Sequence, residues 1–184
     1  MAREGQLRTA GGRARDEDFR AFAAARTPNL YRTACLLTGG DTHLAEDLVQ
    51  EALGRIYLQW HRTSWFTPRA RIDNPAGYAH TVLVRAFLSH RSRRSSGEQP
   101  VEAVPDGAAR EGDPALRLTL VDALARLAPR DRAVLVLRYW EDRSVEETSE
   151  ILRSSSGAVR TRTVRALGRI RAVLGDSLDE LAER

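Results

Sequence analysis

The chain has 184 residues and a formal net charge of +4, and all 29 of its basic residues are Arg, none Lys, against 25 acids. That length holds one compact domain or two small ones and excludes a large α/β enzyme. One cysteine, Cys35 beside Leu36 and Leu37, excludes an internal disulfide framework and a multi-Cys zinc site, and no stretch approaches the ~20 apolar residues of a membrane span.

Residues 1–15 carry Arg3, Arg8, Arg13 and Arg15 with three glycines and little to bury, and read as a disordered basic arm. From Asp16 the pattern turns helical, with Phe19, Phe22 and Ala23 at spacings of three and four. Thr27-Pro28 reads as a fresh N-cap and first helical position; Leu30, Tyr31, Ala34 and Leu37 continue the stripe, and Gly39-Gly40 ends it. A third helix is expected from about Asp41 to His61. After a loop holding Trp65, Phe66 and Pro68, a fourth opens at Asn74-Pro75 and reaches about Arg91. Residues 16–94 form one helical domain on this reading.

Residues 95–114 shift to Gly, Pro and acids, the composition of a flexible linker. Residues 115–175 read as a second helical domain. Leu116, Leu120, Leu124 and Leu127 form its first stripe; Pro129 starts the next helix, which Val134, Leu135, Leu137 and Tyr139 carry to a turn at Glu141-Asp142-Arg143. Ser144 followed by Glu147 is a capping box for a short helix ending near Leu152. Arg153-Ser154 is the turn, Ser155 the next N-cap, and a longer helix runs to about Leu174. An acidic tail, 176–184, closes the chain. The arm and both domains are net basic, whereas linker and tail are net acidic. The expected class is all-α: two small helical domains joined by a flexible linker.

A capped short helix, a tight turn and a long basic helix make a helix-turn-helix, whose second helix enters the DNA major groove. At about 100° per residue, Val159, Thr163, Ala166, Leu167, Ile170, Val173 and Leu174 share the packed face. Opposite lie Gly157, Thr161 and Gly168, with Arg165 just beyond and Arg160 and Arg162 on the flanks. Small central residues allow approach to base edges, and marginal Arg side chains reach phosphates. From Ile151 to Gly175 there are six arginines and no acid. A second cluster, Arg85, Arg91, Arg93 and Arg94, lies near His61, Trp65, Phe66, Tyr78, Phe87 and His90; guanidinium groups with flat rings suit single-stranded nucleic acid. On the third helix, Leu44, Leu48, Ala52, Ile56 and Trp60 define the buried side. Asp47, Gln50 and Glu51 share the other side with Gly54 and Leu58, a surface that repels DNA and suits a basic protein partner.

These residues resemble the extracytoplasmic-function (ECF) group of bacterial sigma factors, which keep only sigma regions 2 and 4. Ala45 to Glu51 is similar to the family's "AEDLVQE" segment, and Asn74 to Tyr78 with the basic run to Arg94 is similar to its promoter-melting and −10-reading helix. Leu124 to Arg143 and Ser144 to Leu174, ending in "RALGRIRAVL", are similar to region 4. The resemblance implies an alternative sigma factor that binds core RNA polymerase and directs promoter-specific initiation. Asp47, Leu48, Gln50 and Glu51 would meet the β′ clamp helices, and the β flap would be a second contact. Ser155, Ser156, Arg160, Thr161, Arg162 and Arg165 would read the −35 duplex. Trp65, Arg85, His90, Arg91, Arg93 and Arg94 would hold the unpaired −10 strand. Arg85 stands where the family usually has Asn. An anti-sigma factor is a further partner in such systems.

The rival reading is a helix-turn-helix regulator that binds duplex DNA without polymerase. An enzyme is not expected: His43, His61, His80 and His90 lack zinc-ligand spacing, no Gly-rich phosphate loop exists, and no metal, cofactor or small-molecule substrate is implied. The expected location is the cytoplasm, with no membrane contact.

Overall fold

Apolar residues three and four apart throughout the chain call for helices. The computed structural model describes residues 2–62, 74–95 and 114–182, with side chains for 12–61, 74–93 and 120–175, and shows helices and no strand among them. α1 spans Ala2–Thr38, α2 Thr42–Arg62, α3 Pro75–Ser95, α4 Pro114–Ala125, α5 Pro129–Leu135, α6 Val145–Leu152 and α7 Ser156–Ala182; a π turn, Val136–Trp140, follows α5. Trp65 and most of the expected linker lie outside the described residues.

Two expectations for α1 are corrected. Residues 2–15 continue the helix instead of forming a disordered arm, because Ala, Arg, Glu, Gln and Leu are good helix formers that offset the glycines. Pro28 lies inside the same helix instead of starting a new one. Thr27 Oγ1 turns back to donate to the Ala23 carbonyl at 2.7 Å, as a mid-helix threonine does, and caps nothing ahead of it. An interior proline costs about 3 kcal/mol. Burial of Leu30, Ala34 and Leu37 beyond it, and packing of Phe19 and Phe22 before it, offset that, at about 1.5–3 kcal/mol per large apolar side chain. α7 likewise passes the expected end near Leu174 and carries the acidic segment to Ala182 as helix.

α1, α2 and α3 enclose Leu30, Leu37, Leu48, Ile56, Leu83 and Phe87. The second half does not stand apart from them. Ala133, Val134, Val136, Leu137, Ile151, Leu152 and Val159 belong to the same continuous core. Polar contacts line the seam between the halves. Arg132 is 1% exposed; its Nη1 donates to the Leu37 carbonyl at 2.8 Å, and its Nη2 donates to the carbonyls of Ala125 at 2.6 Å and Leu127 at 3.3 Å. It thereby satisfies acceptors at the C-terminal ends of α1 and α4, where intrahelical donors run out. Burial, reinforced by the Arg91 charge, pushes its pKa down to about 10, so it remains charged at neutral pH. Gly39, at φ +74, turns the chain beside this group, and a Cβ there would lie 2.7 Å from Ala125 Cβ.

The π turn ends with the Glu141 N–H donating to the Val136 carbonyl at 3.0 Å. The added residue in the turn leaves Tyr139 and Trp140, 61% and 50% exposed, on the surface. Tyr139 therefore leaves the apolar stripe expected of it. Glu141 faces inward. Its Oε1 accepts from Thr33 Oγ1 on α1, and its Oε2 lies 2.9 Å from His80 Nδ1 on α3. Burial alone would raise the Glu141 carboxyl; the hydrogen bonds from His80 and Thr33, with the charges of His80 and Arg143, outweigh it and hold the group below its ordinary value.

Two outcomes are expected. Arg132→Ala lowers unfolding free energy by about 2–4 kcal/mol in urea titration, because several charge-assisted hydrogen bonds vanish and buried carbonyls lose their donors. Because the Glu141 pKa is depressed on folding, its contribution is complete above the ordinary carboxyl value of 4.5 and is lost as pH falls through the folded value. Urea midpoints measured down that acidic range should fall less steeply in Glu141→Gln than in the wild type.

Candidate nucleic-acid interface

The helix-turn-helix is built from local signals. Ser144 Oγ accepts the Glu147 N–H at 3.0 Å while the Ser144 N–H donates to Glu147 Oε2 at 2.7 Å, the expected capping box for α6. Arg153 closes α6 in the left-handed region at φ 49. Ser155 Oγ then accepts the Ala158 N–H at 3.2 Å, so the expected N-cap starts α7. Val159, Ala166 and Ile170 are buried, while Thr163, Leu167, Val173 and Leu174 are half-buried on the same side.

The opposite side of α7 is exposed along Gly157, Thr161, Val164 and Gly168, with Arg160 and Arg165 exposed on either flank. Val164, 72% exposed, is absent from the sequence-based set. Its spacing, seven residues after Gly157 and four before Gly168, places it in the centre of the strip. Ser155 is exposed and Ser156 half-buried. Arg160 lies 3.5 Å from Glu146, a pair too exposed to restrain it.

Arg162 is held differently. Its Nη1 lies 2.9 Å from Asp131 Oδ1, and Arg169 Nη1 lies 2.9 Å from Asp131 Oδ2. The Asp131 side chain, on α5, is 9% exposed. One carboxylate thus clamps two guanidinium groups a heptad apart and sets the rotation of α7 over α5. Arg162 is drawn toward the body of the protein, away from the centre of the strip.

Among the described residues expected at the second nucleic-acid surface, His90, Arg91 and Arg93 lie together near the end of α3, whereas Arg85 turns to α6. Arg85 Nε and Nη2 each donate at 3.1 Å, to the Ile151 and Glu150 carbonyls at the end of α6. His90 and Arg91 are half-buried on α3 and Arg93 is exposed. Trp65 and the side chain of Arg94 lie outside the described residues. Phe87 is fully buried, and Tyr78 packs against the core. His61 belongs to an aromatic group with Tyr57, Trp60, Phe19 and Phe22, and its Nε2 lies 3.0 Å from Asp16.

On α2, Asp47 and Gln50 are exposed and Glu51 is half-buried beside Arg55. Leu58 is 63% exposed on the same face, two turns further along α2. Leu48 is corrected: at 2% exposure it belongs to the core, since it shares the helical stripe of Leu44, Ala52 and Ile56 and has no surface for a partner. Among the described residues, no three His, Cys, Asp or Glu side chains converge as metal ligands. No described helix is long and apolar enough to cross a membrane.

The clamp makes a measurable claim. Asp131→Asn removes both ion pairs and should lower stability by about 1–2 kcal/mol in thermal or urea unfolding, whereas Glu146→Gln, which loses only an exposed pair, should change it by less than about 0.5 kcal/mol.

Residues 123–172 match the family model described as sigma-70, region 4. The chain is 34% identical over 159 residues to the RNA polymerase sigma-E factor of Streptomyces avermitilis, covering 85% of each chain. It is 37% identical over 146 residues to the RNA polymerase sigma factor CarQ of Myxococcus xanthus, covering 76% of this chain and 79% of that one. It is 31% identical over 145 residues to the ECF RNA polymerase sigma factor ShbA of Streptomyces griseus, covering 74% and 75%. Its fold is similar to that of the sigma factor RpoE, solved in complex with the anti-sigma factor NepR from Bartonella quintana, with a TM-score of 0.69 at 24% identity over 86% of this chain and 98% of that one. A capped helix-turn-helix with a basic second helix, set on an all-helical body of this shape and sequence, places the chain in the ECF family of RNA polymerase sigma factors.

Proposed function

We propose that this sigma factor directs core RNA polymerase to its promoters through three separate surfaces. The exposed strip of α7 carries the reading: small residues at its centre, an isopropyl and a hydroxyl group, and arginines on both sides. Arg165 and Arg160 reach guanine edges or phosphates of the −35 duplex, Thr161 hydrogen-bonds, and Val164 lies against a thymine methyl. Ser155 and Ser156 approach the backbone at the helix N-terminus. Arg162 acts through Asp131 to set the helix, and touches phosphate at most.

The acidic and apolar face of α2 supports a protein contact instead. Asp47, Gln50 and Glu51 meet the β′ clamp helices, with Leu58 supplying apolar area, and the α4–α7 half meets the β flap. The end of α3, with His90, Arg91, Arg93 and Arg94, and Trp65 in the preceding loop, holds the unpaired −10 strand by charge and stacking. Polymerase supplies the catalysis, so the chain itself is not an enzyme and needs no cofactor. It works in the cytoplasm with polymerase, and an anti-sigma factor is a further partner, as for the relative solved with one.

Run-off transcription with core polymerase, with and without the protein, tests this reading. Specific initiation only when the protein is present supports it; failure at every genomic promoter overturns it. Asp47→Arg should weaken polymerase binding at least ~10-fold by opposing like charges, read by fluorescence anisotropy. Arg165→Ala should cost about 1–3 kcal/mol at one −35 base pair. Val164→Ala should abolish the preference for thymine over deoxyuridine at one position, worth about 1 kcal/mol, in competition binding.

A further inference from the structure

Arg160 and Arg162 stand two residues apart on α7 and each meets one carboxylate, yet the two pairs differ in depth. The Glu146 side chain is 66% exposed and lies 3.5 Å from Arg160. Water and salt screen that pair, so Arg160 exchanges its partner for a phosphate at little cost. The Asp131 side chain is 9% exposed and holds Arg162 and Arg169, each at 2.9 Å. A carboxylate that deep is poorly screened, and stripping it of a partner is costly. Arg162 therefore stays with Asp131, although its own side chain is 40% exposed. Depth of the acid, not the arginine's place on the wheel alone, sorts the cations of α7.

We propose that Asp131 is a specificity-determining positioning residue. By holding Arg162 it spares the −35 complex a phosphate contact that is blind to sequence, and it fixes the rotation at which Thr161, Val164 and Arg165 face the bases. The inference rests on the −35 reading by α7 proposed above. A phosphate contact strengthens binding to every duplex alike and carries no sequence information. Base contacts, by contrast, require the helix to be held in one orientation, which two ion pairs two turns apart on one side of α7 provide. The two clamped arginines are not equivalent toward DNA. At 1.5 Å of rise per residue, Arg162 lies about 9 Å along α7 from Ser156 and Arg169 about 20 Å. The major groove is about 8.5 Å deep, so a released Arg162 is level with the phosphates at the groove edge and a released Arg169 lies beyond them. Loss of the Asp131 charge thus adds one phosphate contact and loosens the reading helix at the same time.

The test uses the full-length protein assembled with core polymerase, and follows affinity against salt concentration by fluorescence anisotropy. The probes are a duplex on which run-off transcription initiates and the same duplex with its −35 element scrambled. With Asp131→Asn, the plot of log affinity against log salt on the scrambled duplex should steepen by about 0.9, the increment of one added phosphate contact. Preference for the intact −35 element should fall about tenfold, the discrimination carried by one base pair. Adding Arg162→Ala to Asp131→Asn should remove the extra slope. Arg169→Gln, which breaks an ion pair to the same carboxylate and leaves Arg162 on it, should keep the wild-type slope. An unchanged slope in Asp131→Asn with wild-type helical content overturns the proposal, as does equal steepening in Arg169→Gln or a slope gain that survives Arg162→Ala. A steeper slope with undiminished preference overturns the specificity role. Asp131→Ser is the second variant, and failure of both Asp131→Asn and Asp131→Ser to fold also overturns the proposal, because the carboxylate then serves the fold alone. The slope on a scrambled duplex needs no promoter. A failed run-off assay would therefore remove the promoter reading while the slope still decided what Asp131 does to Arg162.

Discussion

One buried guanidinium organises this molecule. Arg132 sits where the C-terminal ends of α1 and α4 meet the start of α5, and donates to carbonyls of both helices. A charge so deeply placed costs several kcal/mol unless it is hydrogen-bonded. Only a planar group with several divergent donors serves acceptors lying in different directions; a lysine presents a single compact ammonium. The close approach requires Gly39, whose positive φ and missing Cβ let the α1 end lie against Ala125. From Arg132 the order propagates one residue back along α5. Asp131 points the other way and fixes Arg162 and Arg169 of α7. Helix α7 is thereby tied, through two adjacent residues of opposite charge, to the core of the other half.

The distribution of charge differs from one helix to the next. On α7 the arginines that face outward, Arg160 and Arg165, have small residues between them, whereas Arg162 and Arg169 turn to Asp131. On α2 the outward groups include the acids Asp47 and Glu51, with Gln50 and Leu58. The seam between the halves uses charge in a third manner. Glu141, Arg85 and Arg132 each meet oppositely polarised groups across it, among apolar side chains that form one continuous core.

What was legible in the sequence depended on the range of the interaction. The Ser144–Glu147 box, the Arg153 turn and the Ser155 cap each involve residues within a few positions, and every one formed as read. The packed face of α7 followed from periodicity alone. At Pro28 and over residues 2–15 the local breaker signals are outweighed, by tertiary burial in the first case and by summed helix propensity in the second. Leu48 lay on the apolar stripe all along, and only its neighbours in a family motif suggested a surface role. Val164, exposed at the centre of the α7 strip, is marked by its spacing alone, because an isolated valine on a solvent face carries no other local signal.

By itself the sequence determined the helical class, the helix-turn-helix with its caps, and the opposed charges of α2 and α7, since periodicity, capping and composition are properties of neighbouring residues. Only the tertiary structure decided which arginines face outward. An arginine's role is set by the acceptor it meets, and for Arg85, Arg132 and Arg162 those acceptors lie on other helices: up to 66 residues away for Arg85, 95 for Arg132 and 31 for Arg162. Identical side chains in one chain therefore became a helix cap, a core tie and a clamped positioning group, distinctions that no count of arginines contains.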